Sequence, residues 1–278
     1  MLAVRTFNTI RSSLSRSYTA SAKLIEVTHD DAGIATVSMA RPPSNSLNKE
    51  LLNALNTSLI DIQKQKYKGI ILTSSLPTIF SAGLDIMEMC NKTEEQLTEF
   101  WQALQDAWLT LYNVDIPIAA AINGFSPAGG CLLALSCEYR VFVEGKYNIG
   151  LNETQLGLAA PEWFQTLYVE ALGPRRAELA LLRGTLFNPK EALEIGLVDE
   201  LASDKENALK RCKDYITGFK NVPFEGRQKT KVDLRKRNSL WLKVNKSVDL
   251  KHFLTWVQLP QVQAGLDLYI KNLKKAKK

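Results

Sequence analysis

The chain has 278 residues, of which 45% are hydrophobic and 23% charged, a composition typical of a globular protein with a full core. No apolar run approaches the length needed to cross a membrane, so we expect no membrane span. The formal net charge of +6 is concentrated at the two ends of the chain, and between them 27 basic side chains face 29 acidic ones, which argues against a nucleic-acid partner.

The first 22 residues are basic and rich in hydroxyl groups, and they contain no acidic side chain. Arg5, Arg11 and Arg16 alternate there with apolar residues, serines and threonines. This pattern predicts a transit peptide over residues 1–22 and a location in the mitochondrial matrix. The alternative is an N-terminus that lacks acids without any targeting role.

The next part of the chain alternates between strand and helix patterns. Strands are predicted over 33–39, 69–73, 118–122 and 139–143, and helices over 47–65, 94–111 and 131–136. The units recur at roughly 45-residue intervals, which predicts an α/β fold with a repeated strand–helix unit.

From Pro161 onward the pattern is mainly helical. Asn188 followed by Pro189 and Glu191 is a helix start, and Gly196 ends that helix. Beyond Val222 the sequence is basic and polar until a final amphipathic helix. Its apolar positions are Leu259, Val262, Leu266, Ile270 and Leu273.

The four cysteines form no CxxC pair, and the two histidines, His29 and His252, lie in polar stretches without other obvious ligands. We therefore expect no disulfide framework and no metal site.

The strand over 118–122 ends in Asn123-Gly124, turns through Pro127 and enters an apolar helix behind Gly129-Gly130. Glycine pairs allow close approach to the main chain, and amides at a helix start have no intrahelical partner. The turn therefore suits an anion, or an oxygen that becomes anionic during a reaction.

A second turn rich in small residues, Phe80 to Asp85, also follows a predicted strand. Each turn can present one main-chain amide, and two converging amides make an oxyanion hole. Taken singly, each motif also fits an ordinary bend of the backbone.

Glu153 lies among apolar residues in the segment from Ile149 to Leu158. Burial there raises the pKa of a carboxyl group toward neutrality, which suits proton transfer. On its own, however, Glu153 fits a surface loop or the start of a short helix better than a catalytic role.

Together these segments resemble the crotonase (enoyl-CoA hydratase/isomerase) superfamily over about residues 24–275. The resemblance rests on four motifs in the family's order: FSAGLD (80–85), INGFSPAGGCLLALSCEYRVF (122–142), IGLNETQLGL (149–158) and EALEIGLVD (191–199).

The resemblance implies a crotonase-like ββα spiral over residues 23–212, followed over 213–278 by a helical region used for trimerisation. It implies an acyl-CoA substrate and a homotrimer. Coenzyme A is then part of the substrate, and no metal or other cofactor is expected.

The resemblance also assigns the site. The main-chain amides of Leu84 and Gly129 hold the thioester oxygen as it becomes an enolate, and Glu153 is the catalytic residue. Asn152, directly before it, is a candidate substrate-binding residue by its position alone, and it fits an ordinary turn residue equally well. The rest of the substrate loop is Ala82, Gly83, Asp85 and Ile86.

The residue after Cys131 separates the reactions known in the family. Hydratases resemble one another in carrying a glutamate there, whereas this chain has Leu132. A single carboxylate can move a proton from C2 to C4 of a 3-enoyl thioester, so the resemblance implies an isomerase of fatty-acid β-oxidation that forms trans-2-enoyl-CoA. Dienoyl isomerases carry an aspartate where this chain has Pro161, and the segment 150–157 is similar to that of mitochondrial isomerases.

Three alternatives remain open. Glu162 lies near the glutamate of a peroxisomal branch and is a rival base, although it also fits the first turn of a helix. The chain could instead be a catalytically silent relative that binds CoA or RNA, or a hydratase.

Overall fold

The computed structural model describes residues 23–276. The predicted transit peptide over 1–22 and the last two lysines lie outside the described residues. Within the described range no helix is long and apolar enough to cross a membrane.

A six-stranded sheet forms the centre of the protein, with strand order β1-β2-β3-β4-β6-β8. Only the β1–β2 pair is antiparallel. A separate parallel pair, β5 and β7, lies outside this sheet. The strands are β1 (Ile25–His29), β2 (Ile34–Met39), β3 (Gly69–Ser74), β4 (Ile118–Ile122), β5 (Ser126–Pro127), β6 (Tyr139–Val143), β7 (Ile149–Gly150) and β8 (Glu200–Ala202).

Helices pack against the sheet, and the last three helices follow the final strand in the chain. They are α1 (Lys49–Gln63), α2 (Glu94–Tyr112), α3 (Gly129–Ser136), α4 (Glu162–Leu172), α5 (Pro174–Arg183), α6 (Pro189–Glu194), α7 (Lys205–Thr217), α8 (Phe224–Val257) and α9 (Pro260–Ala276). The predicted strand–helix alternation is confirmed, with shifts of a residue or two at most ends.

The two faces of the sheet belong to two apolar clusters because successive strand residues point to opposite sides. Ile70 and Leu72 of β3 join the larger cluster with α1, α2 and α3. Ile71 joins the smaller one, where Cys212 and Ile216 of α7 cover the sheet. Strands buried on both faces explain the continuous apolar runs in the sequence.

The basic segment after Val222, in which we predicted no helix, forms the 34-residue helix α8. Its apolar positions follow no single helical stripe, because the helix bends at Asn245, where φ is −107° and ψ is 17°. The Asn245 amide donates to the carbonyl oxygen of Trp241 at 2.8 Å. Side-chain hydrogen bonds of this kind are a recognised cause of helix bends.

The first half of α8 is fixed to the sheet and its helices by cations. Arg235 donates to the carbonyl oxygens of Tyr112 and Ser136, the last residues of α2 and α3. Arg227 and Lys231 both form ion pairs with Glu138. These contacts place the second half of α8 against α2. The division at residue 212 falls within α7, and the domain bounds stay a prediction.

Candidate active site

The parallel strands β3 and β4 are neighbours, so their carboxyl ends deliver two loops to the same edge of the sheet. The loop after β3 carries residues 80–85, and the loop after β4 leads to the glycine pair at the start of α3. The two loops meet. The carbonyl oxygen of Phe125 accepts from the amide of Phe80 at 2.9 Å.

Gly83 and Gly129 are in close contact across these loops. A Cβ on Gly83 would lie 3.0 Å from the amide nitrogen of Gly129, and a Cβ on Gly129 would lie 3.2 Å from that of Leu84. Gly83 has a φ of +85° and only glycine fits there, whereas a Cβ on Gly129 would be in tight contact with the Leu84 amide and the Leu47 side chain. The close approach of the two main chains therefore depends on the small residues that the sequence places in both turns.

The two amides assigned to the oxyanion hole are both available. Neither the Leu84 nor the Gly129 amide donates a hydrogen bond to another residue in the described part of the chain. Gly129 is the first residue of α3, where the helix dipole favours negative charge. Ala128, just before it, has φ 49° and ψ −122°, a strained conformation of the kind often found at functional sites.

The short strand pair β5–β7 connects the glycine turn to Glu153. Pro127 pairs with Gly150, and the carbonyl oxygen of Gly150 accepts from the amide of Ala128 at 2.8 Å. Glu153 follows three residues later, as the first residue of a 3₁₀ helix that ends at Leu156. The backbone pairing thus fixes the carboxylate relative to the Gly129 amide.

Glu153 is 8% exposed, and neither of its carboxylate oxygens has a hydrogen-bond partner among the described residues. Desolvation by burial raises the pKa of Glu153 to about 7, from its usual value of 4.5. The carboxyl group is therefore poised to accept and return a proton near neutral pH.

An apolar cavity of about 230 Å³ opens beside Glu153. Leu84 lines it on the side of the amides, while Trp101 and Phe253 line the part formed by α2 and α8. The cavity brings Glu153 and the loop that carries Leu84 together with a surface suited to an apolar chain.

The loop around Leu84 is fixed by polar contacts with the segment that contains Arg41 and Asn45. Asp85 forms an ion pair with Arg41 at 3.0 Å and accepts from the amide of Met87 at 3.1 Å, which starts the short 3₁₀ helix Ile86–Glu88. Ser81 is buried, and its hydroxyl donates to the carbonyl oxygen of Asn45 at 2.8 Å. The loop is thereby fixed without using the Leu84 amide.

The remaining predicted residues have clear positions. Leu132 is completely buried in α3. Glu162 is exposed at the first turn of α4, yet it lines the same cavity as Glu153. Asn152 is half-buried directly before Glu153. Among the described residues, no group of three His, Cys, Asp or Glu side chains is placed to bind a metal ion.

The sequence analysis missed part of the cavity wall. Trp101, His252, Phe253 and Trp256 line it, as does the buried carboxylate of Asp249. Most of them belong to α8, whose pattern gave no helix signal, and Asp249 contacts Trp101 across 148 residues of sequence. No local motif could have brought these residues together.

Comparison with known proteins agrees with this geometry. Residues 29–276 match the family model described as enoyl-CoA hydratase/isomerase. The chain is 40% identical over 260 residues to mouse "Enoyl-CoA delta isomerase 1, mitochondrial", covering 93% of this chain and 90% of that protein. The human protein of the same name is 40% identical over 248 residues, covering 88% of this chain and 82% of that protein.

Solved structures agree in the same way. The crystal structure of human mitochondrial delta3-delta2-enoyl-CoA isomerase superposes with a TM-score of 0.89 at 39% identity, covering 92% of this chain and all of that one. An enoyl-CoA hydratase from Bacillus halodurans superposes with a TM-score of 0.80 at 20% identity, covering 88% of this chain and 99% of that one, a likeness of fold alone.

Proposed function

The chain belongs to the enoyl-CoA hydratase/isomerase family, and we propose that it moves the double bond of a cis- or trans-3-enoyl-CoA to the trans-2 position in fatty-acid β-oxidation. Two relatives that are named as isomerases are each 40% identical to this chain over most of its length, which supports isomerisation as the reaction. The single observation that carries the reaction is the buried carboxylate of Glu153, which has no partner in the described part of the chain and lines the same cavity as Leu84.

In the proposed mechanism Glu153 removes a proton from C2 of the thioester. The electrons of the broken C–H bond form a C1–C2 double bond, and the carbonyl oxygen becomes an enolate held by the amides of Leu84 and Gly129. The protonated Glu153 then delivers its proton to C4, where the electrons of the C3–C4 double bond form the new C–H bond. As the enolate collapses, the new double bond forms between C2 and C3, and the carboxylate is regenerated.

The assignment of a single base is supported by the surroundings of the glycine turn. Leu132 occupies the position where a hydratase carries a second carboxylate, and it is fully buried in α3. Addition of water requires one group to activate the water and another to supply a proton. Isomerisation adds no atom and changes no oxidation state overall, so the acyl-CoA itself is the only non-protein group that the mechanism requires.

We assign Ala82, Gly83, Asp85 and Ile86 to the substrate loop and Asn152 to substrate binding. The support for the loop is its position, since it carries the Leu84 amide and lies against Gly129. Asn152 is adjacent to the base and lies at the edge of the same 3₁₀ helix.

The mitochondrial names of the mouse, rat and human relatives support a mitochondrial location, and we propose the matrix. We also propose a homotrimer. Exposed apolar side chains on the C-terminal helices support an association surface there, namely Val232, Leu234, Val244, Leu268 and Leu273.

The test compares two carboxylates in one cavity. Glu153→Gln should lower kcat for 3-enoyl-CoA by at least about a thousandfold, within the range seen when an acid–base group is removed, while binding of a saturated acyl-CoA stays within a few-fold. Glu162→Gln is the matched control and should retain most of its activity. Both reactions are followed by the absorbance of the trans-2-enoyl thioester.

The opposite result, with Glu162→Gln inactive and Glu153→Gln active, would move the base to α4. Formation of a 3-hydroxyacyl product from trans-2-enoyl-CoA at a comparable rate would instead identify a hydratase. A wild-type chain that binds acyl-CoA without converting either substrate would identify a silent binding protein.

A further inference from the structure

The position of the Glu153 carboxylate depends on the main chain that carries it. Within the described chain, neither of its oxygens accepts a hydrogen bond that would hold the side chain in place. Glu153 begins a 3₁₀ helix of four residues, which ends at Leu156. Helices of this kind have poorer hydrogen-bond geometry than α-helices and are seldom longer. Such a turn needs contacts from elsewhere in the protein to keep a reacting group in one place.

A segment about 30 residues further along the chain lies against this turn. It begins in the last turn of α5 and continues past the end of that helix, and we define residues 181–187 as the support segment. At its far end, the amide of Phe187 donates to the carbonyl oxygen of Ile149 at 2.9 Å, and the amide of Ile149 donates to that of Phe187 at 3.0 Å. The strand β7, which leads into the Glu153 turn, is therefore fixed to the support segment by its main chain.

At its near end the support segment accepts two hydrogen bonds from side chains of the turn itself. The Thr154 hydroxyl donates to the carbonyl oxygen of Leu181 at 3.0 Å, and the Gln155 amide donates to the carbonyl oxygen of Gly184 at 2.8 Å. Both carbonyls lie at the C-terminal end of α5, where main-chain oxygens lack the regular partners of a helix interior. The two residues after Glu153 thus attach its short turn to a longer helix.

The contact between the turn and the support segment requires a residue without a side chain at position 184. Gly184 ends α5 in the left-handed conformation, with a φ of +61°. A Cβ there would lie 2.7 Å from Cγ of Gln155, 2.9 Å from Oγ1 of Thr154 and 3.3 Å from Cα of Asn152. The first two distances are too short for a carbon atom, so an added methyl group would displace both hydrogen-bonding side chains.

Thr154 and Gln155 lie outside the cavity in which the reaction is proposed to take place. Both are exposed, and neither is among the residues that line the cavity beside Glu153. Any effect they have on the reaction must therefore pass through the main chain of the turn. The proposed reaction is sensitive to that main chain, because one carboxylate has to reach both C2 and C4 of the substrate. Misplacing a reacting group by about 1 Å lowers a rate by about a hundredfold.

We propose that Thr154, Gln155 and Gly184 are positioning residues for the base, which they hold through the turn that carries it. Two hydrogen bonds and one close contact fix the 3₁₀ helix against the end of α5. Glu153 thereby keeps one position although its carboxylate has no partner among the described residues. The inference rests on the proposed function, since it takes Glu153 as the group that transfers the proton.

The first experiment removes the two hydrogen bonds one at a time. Thr154→Val removes the hydroxyl at nearly constant volume, and Gln155→Met removes the amide donor at nearly constant length. Each should lower kcat for a 3-enoyl-CoA by about three- to tenfold, the preference that one hydrogen bond gives to one geometry. The double variant should lose more than either. KM, and Kd for a saturated acyl-CoA, should stay within about twofold, because a lower kcat alone marks an interaction that does not serve substrate binding.

Two controls distinguish positioning from the loss of an exposed polar contact. Thr154→Ser keeps the hydroxyl and should restore kcat to within about twofold of the wild type. Glu178→Gln weakens an exposed ion pair with Arg175 on the same helix, and it should leave kcat unchanged because exposed ion pairs contribute little.

Glycine variants at the two ends of α5 test the close contact. Gly184→Ala should lower kcat by about a hundredfold, because the added methyl group displaces the turn. Gly173→Ala, at the start of α5, has a similar φ of +74° but no atom within 4 Å of an added Cβ, and it should keep kcat within about twofold. If Gly184→Ala does not fold, the variants of the exposed residues Thr154 and Gln155 still decide the question.

A partition ratio reports the position of the base and does not change when folded protein is merely lost. In heavy water, a Glu153 carboxyl group that has exchanged its proton carries deuterium. It gives this deuterium either to C2, which re-forms the substrate with a new C–D bond, or to C4, which forms the product. The ratio of deuterated substrate to product should differ from that of the wild type by about threefold or more in the double variant and in Gly184→Ala. Thr154→Ser and Glu178→Gln should keep the wild-type ratio.

The kinetic results decide the proposal in either direction. A folded double variant with wild-type kcat and a wild-type partition ratio would overturn it. A lower kcat with an unchanged partition ratio would also overturn it, because loss of active protein produces the same result. An equal loss of acyl-CoA binding would show instead that the two side chains act on the substrate.

Amide hydrogen exchange separates this inference from the proposed function, because it requires no turnover. The amides of Gly157 and Leu158 donate to the carbonyl oxygens of Thr154 and Glu153, both at 3.1 Å, and they should exchange about tenfold faster in the double variant. A wild-type chain that converts no 3-enoyl thioester would contradict the proposed function, while faster exchange in the double variant would still show that α5 supports the turn. Unchanged exchange in the double variant of an active enzyme would overturn the supporting role alone.

Discussion

At the scale of single residues, the proposed chemistry depends on Glu153, a carboxylate without a partner in the part of the chain that the structure describes. Glu138 and Asp85 form ion pairs, and Asp249 accepts three hydrogen bonds, but both oxygens of Glu153 have no partner among the described residues. A paired carboxylate would be a weak base. Burial without pairing produces the opposite effect, a base whose pKa lies near the working pH.

The pH dependence of the reaction follows from this pKa. Since burial raises the pKa of Glu153 to about 7, the fraction of the reactive carboxylate increases as the pH rises through 7. We expect kcat/KM for a 3-enoyl-CoA to rise about tenfold per pH unit below 7 and to level off above it. Rates measured from pH 5 to 9 test this, with Glu162→Gln as the control that should keep the same midpoint. A midpoint near 4.5 would indicate a solvated base.

At the scale of structural elements, the two glycine-containing turns contact each other and together position the amides of Leu84 and Gly129. Their close approach needs the absence of a side chain at Gly83, where a Cβ would lie 2.8 Å from the Cβ of Ala128. The β5–β7 pair then places Glu153 relative to the same turn. Strand ends, a glycine pair and a carboxylate thus come together through backbone hydrogen bonds.

Gly83→Ala tests whether crowding at the proposed oxyanion hole, rather than backbone strain, lowers activity. The substitution should lower kcat by about 10²–10³, because it displaces the amides of Leu84 and Gly129. Gly173→Ala is the matched control, since Gly173 has a similar φ of +74° but no atom within 4 Å of an added Cβ. It should lose about 1–3 kcal/mol of stability with little loss of kcat. Equal losses of kcat in both variants would contradict the crowding argument.

The sequence predicted the elements whose signals are local. The capping pattern at Asn188 is present, with the Asn188 side chain accepting from the amide of Glu191 at 3.1 Å. Four motifs in the family's order were enough to identify the fold and to select the candidate base. Helix α8 was missed because its bend at Asn245 breaks the periodicity and its buried charges are satisfied by partners far away in sequence. For the same reason Asp249 could not be placed in the cavity wall.

At the scale of the whole molecule, a base kept ready for proton transfer reduces stability. The pKa of Glu153 is higher in the folded protein than in the unfolded chain, so between about pH 4.5 and 7 the folded state retains a proton that the unfolded state has lost. The free energy of unfolding contributed by this group therefore falls as the pH rises through that window. Above pH 7 Glu153 is charged in both the folded and the unfolded state, and burial of its charge then lowers the free energy of unfolding by the full amount.

Glu153→Gln removes that cost together with the activity. The variant should be more stable than the wild type at pH 8 by about 1–3 kcal/mol, and the two should differ little at pH 4.5. Urea unfolding at the two pH values measures the difference. A stability gain that is the same at both pH values would show that Glu153 does not titrate in this window.

The arrangement of the cavity wall also has a consequence for biosynthesis. Glu153 and the amides of Leu84 and Gly129 come earlier in the chain than Asp249 and Phe253. A chain that is synthesised, or imported into an organelle, from its N-terminus therefore acquires Asp249 and Phe253 later. A nascent or truncated chain that stops after α7 contains all the reacting groups. It lacks the carboxylate of Asp249, which accepts from the indole nitrogens of Trp101 and Trp163 in the folded protein. The late arrival of α8 therefore completes the wall of the cavity beside Glu153.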